Sequence, residues 1–273
     1  MRTHAVRGGG GLTLHVEETG RPDGKSVLFI HGYSQCRLVW NRQLHSDLAD
    51  EFRLVAMDIR GHGSSEKPRD AYGDSRLWAD DVHAVITQLG LERPALAGWS
   101  YGGVVILDYV QAYGEDGIAG TNFVGAISRL GEPLVKAGFL GPEFMAATAG
   151  TLSENVEVCV AALERLLRLC VGGDMPPEEF YSFLGFNVTV PPYVRRGMLA
   201  RTIDHDAVID RMRTPILVSY GDRDAVVAPA MGRHIAERAA HATLSVYADA
   251  GRAVFWEAPE RFNRELRAFR ESV

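Results

Sequence analysis

The chain of 273 residues is poor in cysteine, with only Cys36, Cys159 and Cys170. Three is an odd number and the spacing is not that of metal ligands, so neither a disulfide framework nor a metal site is expected. The thiols read as reduced groups in a cytoplasmic protein, Cys159 and Cys170 being packing residues of a helical stretch. No apolar run approaches the about 18 residues of a membrane span. The N-terminal residues Met1 to Arg7 lack the apolar core of a secretory signal. There is no excess of basic charge, the formal net charge being -6, so no nucleic-acid partner is expected. The run Gly8 to Gly11 has no lysine and no strand-loop-helix setting, which excludes a phosphate loop and leaves a flexible turn before the first strand. No cofactor is implied, and the expected partner is a small-molecule substrate. Oligomeric state is not readable. What remains is 46% hydrophobic content, enough for one large core or a core with an insertion.

Strand-like and helix-like patterns alternate along most of the chain. Leu12 to Glu18 alternates apolar and polar residues; Val27 to Ile30 and Arg53 to Met57 are buried runs. Ser75 to Leu89 is amphipathic, with Leu77, Val82, Val85, Ile86 and Leu89 on one face. Further strands are expected at Ala95, at Phe123 to Ile127, at Pro215 to Tyr220 and at Thr243 to Tyr247. A last amphipathic helix runs from Pro259 to about Arg270. Such alternation predicts an α/β protein with a mostly parallel sheet covered on both faces. Residues 129–209 break the rhythm. They read as a helical cap with one short apolar run, Phe186 to Val190, inserted into a core of residues 1–128 and 210–273.

Chemistry concentrates at Gly98-Trp99-Ser100-Tyr101-Gly102-Gly103, which follows a buried-strand pattern and precedes a helical one. This is a G-x-S-x-G turn in the setting that lifts a serine hydroxyl out of a sheet, its glycines clearing the bend. The helix that follows points its positive end at the same place. A serine nucleophile requires a base, an acid to orient that base, and donors for the developing oxyanion. The amide of Tyr101 is one such donor. The amide of Tyr33, in the loop after His31-Gly32, is the other. If His31-Gly32 were only a strand-to-loop turn, that second donor would be missing. The acid belongs after a later strand, where Asp224 is preferred to Asp222 in Gly221-Asp222-Arg223-Asp224. The plain alternative is a solvated acidic turn balanced by Arg223.

Taken in order, His31-Gly32-Tyr33, Asp58-Ile59-Arg60-Gly61-His62-Gly63-Ser64-Ser65, the Ser100 elbow, Gly221 to Asp224 and Ala250-Gly251 through Glu257-Ala258-Pro259-Glu260 resemble the α/β-hydrolase fold in its form with a single inserted cap. The resemblance covers nearly the whole chain outside the cap and implies a serine hydrolase acting on small, mostly apolar carboxylic esters through an acyl-Ser100 intermediate. Ser100 also departs from the aspartate of dehalogenases and epoxide hydrolases of this layout. Esterases, carbon-carbon bond hydrolases, perhydrolases and lactonases all keep serine, and one fold hosts many reactions.

One position departs from the pattern. Where the family places its histidine base, after Gly251, this chain has Arg252. A guanidinium stays protonated at working pH and has no acceptor lone pair, so it cannot take a proton from Ser100. Arg252 is expected to pair with Asp224. Three accounts stay open: a working hydrolase impaired by this substitution, a non-hydrolytic binder of the kind that gibberellin receptors resemble, or a repurposed site in which Arg252 clamps a carboxylate or enolate. Among the other histidines, His62, His83, His234 and His241 read as structural or surface groups, and His205 is the candidate stand-in base. The pocket is expected to include His31, Gly32, Trp99, Val226 and Val254. Phe139, Leu140, Phe144, Met145, Phe183 and Phe186 of the cap would make it greasy.

Overall fold

The computed structural model describes residues 1–239 and 241–273. The chain enters through β1 (Arg2–Arg7), a strand the alternation analysis misses because only Val6 of it is buried. It turns through Gly9–Gly11, where the Gly9 amide donates to the buried Asp81 at 2.8 Å, so this turn is anchored rather than loose. β2 (Thr13–Gly20) then pairs antiparallel with β1. β3 (Ser26–Ile30), the one-turn helix α1 (Asn41–Leu44) and β4 (Arg53–Met57) follow. Next come α2 (Ser75–Gln88), β5 (Ala95–Trp99), α3 (Tyr101–Tyr113) and β6 (Gly120–Val124).

After β6 the rhythm changes. The two-residue strands β7 (Arg129–Leu130) and β8 (Ile203–Asp204) pair antiparallel. Between them in the chain lie α4 (Glu132–Lys136), α5 (Pro142–Thr151), α6 (Val156–Leu169), α7 (Pro177–Val188) and α8 (Pro192–Leu199). The apolar run Phe186 to Val190 is therefore not a strand. Its first three residues are the end of α7, whose inward face carries Phe180, Phe183, Leu184 and Asn187 at helical spacing, and Thr189 and Val190 follow as a turn. α9 (Asp206–Ile209), β9 (Ile216–Gly221), α10 (Ala230–Arg238), β10 (Ala242–Tyr247), α11 (Val254–Glu257) and α12 (Pro259–Ser272) complete the chain.

Among the described residues the main sheet has eight strands in the order β1-β2-β4-β3-β5-β6-β9-β10. The first two pairings are antiparallel and the others parallel. β3, β5, β6 and β9 are buried along their whole length, as strands covered on both faces must be. That is why β3 reads as a buried run while β2 alternates. β6, Gly120-Thr121-Asn122-Phe123-Val124, does not, and the strand expected at Phe123 to Ile127 in fact begins at Gly120 and ends at Val124. α3 leaves the central strand β5 and lies against its neighbours. A Cβ at Gly102 would meet the Ile30 carbonyl oxygen at 2.4 Å, so glycine lets this helix seat on β3. The carboxyl ends of β3, β5 and β9 thereby meet at one edge of the sheet, the usual place for a ligand in such folds.

Candidate active site

Ser100 occupies the turn between β5 and α3 with φ 58° and ψ -115°, a backbone conformation that costs a non-glycine residue on the order of 1–3 kcal/mol. It is held there from three sides. Its amide donates to the Val124 carbonyl at 3.0 Å, and its carbonyl accepts from Gly103 at 3.0 Å and Ile127 at 3.2 Å. Glycine at 100 would relieve this strain. Ser100→Gly is accordingly expected to unfold at a higher urea concentration than Ser100→Ala, a difference of about 1 kcal/mol in stability.

Across from the serine, the loop after β3 approaches closely. A Cβ on Gly32 would lie 2.8 Å from Ser100 Cβ and 3.3 Å from its Oγ. The backbone amides of Tyr33 and Tyr101 flank this contact, and neither donates to an acceptor among the described residues. The Tyr33 phenol turns away to Thr151 Oγ1 on α5 at 3.0 Å.

The loops after β9 and β10 supply the other two groups. Asp224 Oδ1 accepts from the amides of Val226 and Val227, both at 2.9 Å. Its Oδ2 accepts from Arg252 Nη1 at 2.8 Å, while Arg252 Nη2 donates to Ser100 Oγ at 2.7 Å. One guanidinium thus spans carboxylate and hydroxyl. Both side chains of the ion pair are almost completely buried. Burial pushes the Asp224 carboxyl above its ordinary range, against the pull of Arg252 and the two amides. Asp222 lies apart, exposed, accepting from the Asp249 amide. The Arg252 segment is fixed to the helical insertion. Glu257 accepts from Gly251 at 2.9 Å and Gly172 at 2.7 Å, and the Ala253 amide donates to Cys170 at 3.0 Å.

No histidine reaches the serine among the described hydrogen bonds. His31 lies beneath the loop, where Nε2 accepts from the Ile59 amide at 3.1 Å and Nδ1 donates to Gly32. Burial lowers its pKa to about 4. His62 is likewise held neutral by burial, accepting from the Ser34 amide and donating to the Arg60 carbonyl. His83 stacks on Tyr113, His234 pairs with Asp206, and His241 bonds the Thr214 carbonyl.

His205, the expected stand-in, instead belongs to a buried cluster on the far side of α3. Its Nε2 lies 3.0 Å from Asp108 Oδ1, and Arg201 Nη2 donates to Asp108 Oδ2 at 2.6 Å. Arg201 also donates to the Tyr101 phenol at 2.8 Å and to Ser75. The cluster joins the end of the insertion to the helix behind Ser100. Nothing in a sequence scan links positions 108, 201 and 205; only the polar Asp108 in an otherwise apolar stretch of α3 hints at it. Asp108→Ala would strand a buried guanidinium beside an imidazole. Urea denaturation should show a loss of about 3–5 kcal/mol.

A cavity of about 270 Å³ opens above Ser100. The core contributes Gly32, Tyr33, Trp99, Ser100, Val226 and Arg252, and the insertion adds Leu134, Leu140, Phe144, Met145, Leu166 and Cys170. His31 and Val254 are not on its wall. The His31 ring is turned down to Ile59, and Val254 is fully buried at the start of α11. Phe183 and Phe186 face a separate hollow beside Trp256, and Phe139 packs on His234. Leu166 gives no sequence signal for the pocket because apolar helix positions look alike whether they face a cavity or a core; Thr148 on α5 and Cys170 at the end of α6 give none either. Among the described residues no group of three or more His, Cys, Asp or Glu side chains converges as metal ligands would.

This chain belongs to the alpha/beta hydrolase family, whose sequence model matches residues 27–265. It is an enzyme of hydrolase type. The crystal structure of the esterase RhEst1 from Rhodococcus sp. ECU1013 superposes with a TM-score of 0.93 at 34% identity, covering 100% of this chain and 99% of that one. A bifunctional esterase/perhydrolase from Acinetobacter calcoaceticus is 26% identical, with 95% of this chain and 96% of the relative aligned. A non-heme chloroperoxidase from Kitasatospora aureofaciens is 27% identical over 95% and 96%.

Proposed function

We propose that the chain is a serine hydrolase for small apolar carboxylic esters in which the step that needs a base is disabled. Ser100 is the nucleophile and the Tyr33 and Tyr101 amides are the oxyanion donors. Asp224 is the acid that would orient a base at position 252, and Arg252 stands there instead. Residues 129–209 form the cap that closes the substrate pocket over a core of residues 1–128 and 210–273. No helix of the described structure is long and apolar enough to cross a membrane, and three free, buried thiols fit a reducing, cytoplasmic setting.

The observation that carries this reading is the bridge from Asp224 through Arg252 to Ser100 Oγ. In a working triad the middle group accepts the serine proton. Here it donates to the serine oxygen, so the hydroxyl keeps its hydrogen and has nowhere to send it. The strained elbow, the two unspent amides and the apolar cavity are the remaining parts of an acyl-transfer site. The relatives described as esterases support the ester class. The test is Arg252→His assayed on p-nitrophenyl acetate, with Ser100→Ala in the same background as control. Hydrolysis that appears with histidine and vanishes with Ser100→Ala supports the reading; no gain from histidine sinks it.

A further inference from the structure

We infer that the pocket, as it stands with Arg252, selects small apolar monocarboxylates over uncharged molecules of the same shape. The inference rests on reading Ser100 and its neighbouring amides as an oxyanion site, and it names the ligand that this site prefers. Three observations carry it. First, Arg252 is the one charged side chain on the cavity wall among the described residues, and no Asp, Glu, Lys or His joins it there. Asp224 stands behind the guanidinium with its side chain fully buried.

Second, the polar head of the cavity offers donors. The Tyr33 and Tyr101 amides are unspent. The Ser100 oxygen already accepts from Arg252, so its own hydrogen is left to donate. Of the five N–H donors of a guanidinium, the bonds to Asp224 and Ser100 account for two. A carboxylate meets every one of these groups as an acceptor. An amide brings its own N–H donors and an alcohol its O–H, and no carboxylate or imidazole stands on the wall to receive them. Third, the rest of the wall is mostly apolar, with Leu134, Leu140, Phe144 and Leu166 around the space and Gln35 and Thr148 its uncharged polar members. That suits an uncharged hydrocarbon tail and excludes a second charge. Donors to an ionised acceptor in a site sheltered from water are worth more than donors to a neutral one.

Calorimetric titration of the intact protein with hexanoate, hexanamide and hexanol tests this, because the three share a tail and differ only at the head. Hexanoate is expected to bind at least about tenfold tighter than either neutral ligand. Arg252→Met should abolish or reverse that order, since it removes the cation and leaves Asp224 facing the cavity. Should this variant fail to fold, Arg252→His at pH 8, where the imidazole is neutral, makes the same removal. Equal affinities in the unaltered protein, or an order unchanged by either variant, overturn the inference. The two readings fail separately. A carboxylate preference without ester hydrolysis in Arg252→His removes the hydrolase reading alone. Hydrolysis in Arg252→His without a carboxylate preference in the unaltered chain removes this one.

Discussion

Arg252→His should raise kcat on p-nitrophenyl acetate by at least about 10³-fold. A triad base is worth about 10⁶ in turnover in a measured protease, and the lower figure is a floor for a pocket that has not been shaped around an imidazole. The geometry favours the exchange. Arg252 reaches Asp224 and Ser100 through its two Nη atoms at 2.8 and 2.7 Å. The two ring nitrogens of an imidazole are spaced much like those two atoms, so a histidine ring that lies between the same two partners would present Nδ1–H to Asp224 and an unprotonated Nε2 to Ser100, with one bond reversed in sense. That reversal is the whole of the chemistry, because the serine hydrogen then has an acceptor. The gain should fall in kcat more than in KM, since deprotonation occurs on the way to the transition state. The rate should climb with pH through the range of an imidazole near about 6.5, while the unaltered protein shows no such limb. A gain without that limb, or one that survives Ser100→Ala, would point to hydrolysis outside this site.

Much of the fold is legible in the sequence, for a physical reason. A strand covered on both faces tends to be apolar along its length, which is why Val27 to Ile30 and Arg53 to Met57 read correctly; β6 carries Thr121 and Asn122 and is displaced in the reading, and β1, with only Val6 buried, gives no signal. The insertion was harder. Phe186 to Val190 is apolar enough for a strand, and only the spacing of Phe180, Phe183, Leu184 and Asn187 reveals the helix that contains its start. At the site, the glycine-flanked turn between a strand pattern and a helix pattern points to Ser100, and Ser100 does occupy the bend between β5 and α3. Motif proximity in the chain misleads about orientation. His31 and Val254 sit beside motif residues yet turn into the core, because the His31 ring is the acceptor for the Ile59 amide and α11 aims Val254 inward. Groups drawn from three distant segments, such as Asp108, Arg201 and His205, leave no local pattern at all.

Asp224→Ala should destabilise the protein by about 3–5 kcal/mol, the usual consequence of removing one partner from a buried ion pair. The Arg252 guanidinium would stay in place with Ser100 as its remaining recorded partner, and the amides of Val226 and Val227 would lose their acceptor. The second half of the cycle makes the argument specific. Burial raises the Asp224 carboxyl above its ordinary range even with a cation bonded to it. Taking both charges of a buried pair out of water offsets much of their attraction, so such a pair adds little to stability as a whole. Removing the charge as well, with Arg252→Met in the Asp224→Ala background, should recover most of the loss. The two substitutions would show a coupling of about 2–3 kcal/mol in urea unfolding. A loss that persists in the double variant would mean that the acid acts through the Val226 and Val227 amides alone. If the two side chains did not interact, each substitution would cost and the costs would add; in a pair that stabilised the fold on balance, the double variant would stay well below the unaltered protein. Recovery of the double variant to near the unaltered stability would instead mark Asp224 and Arg252 as a charge pair that adds little to the fold.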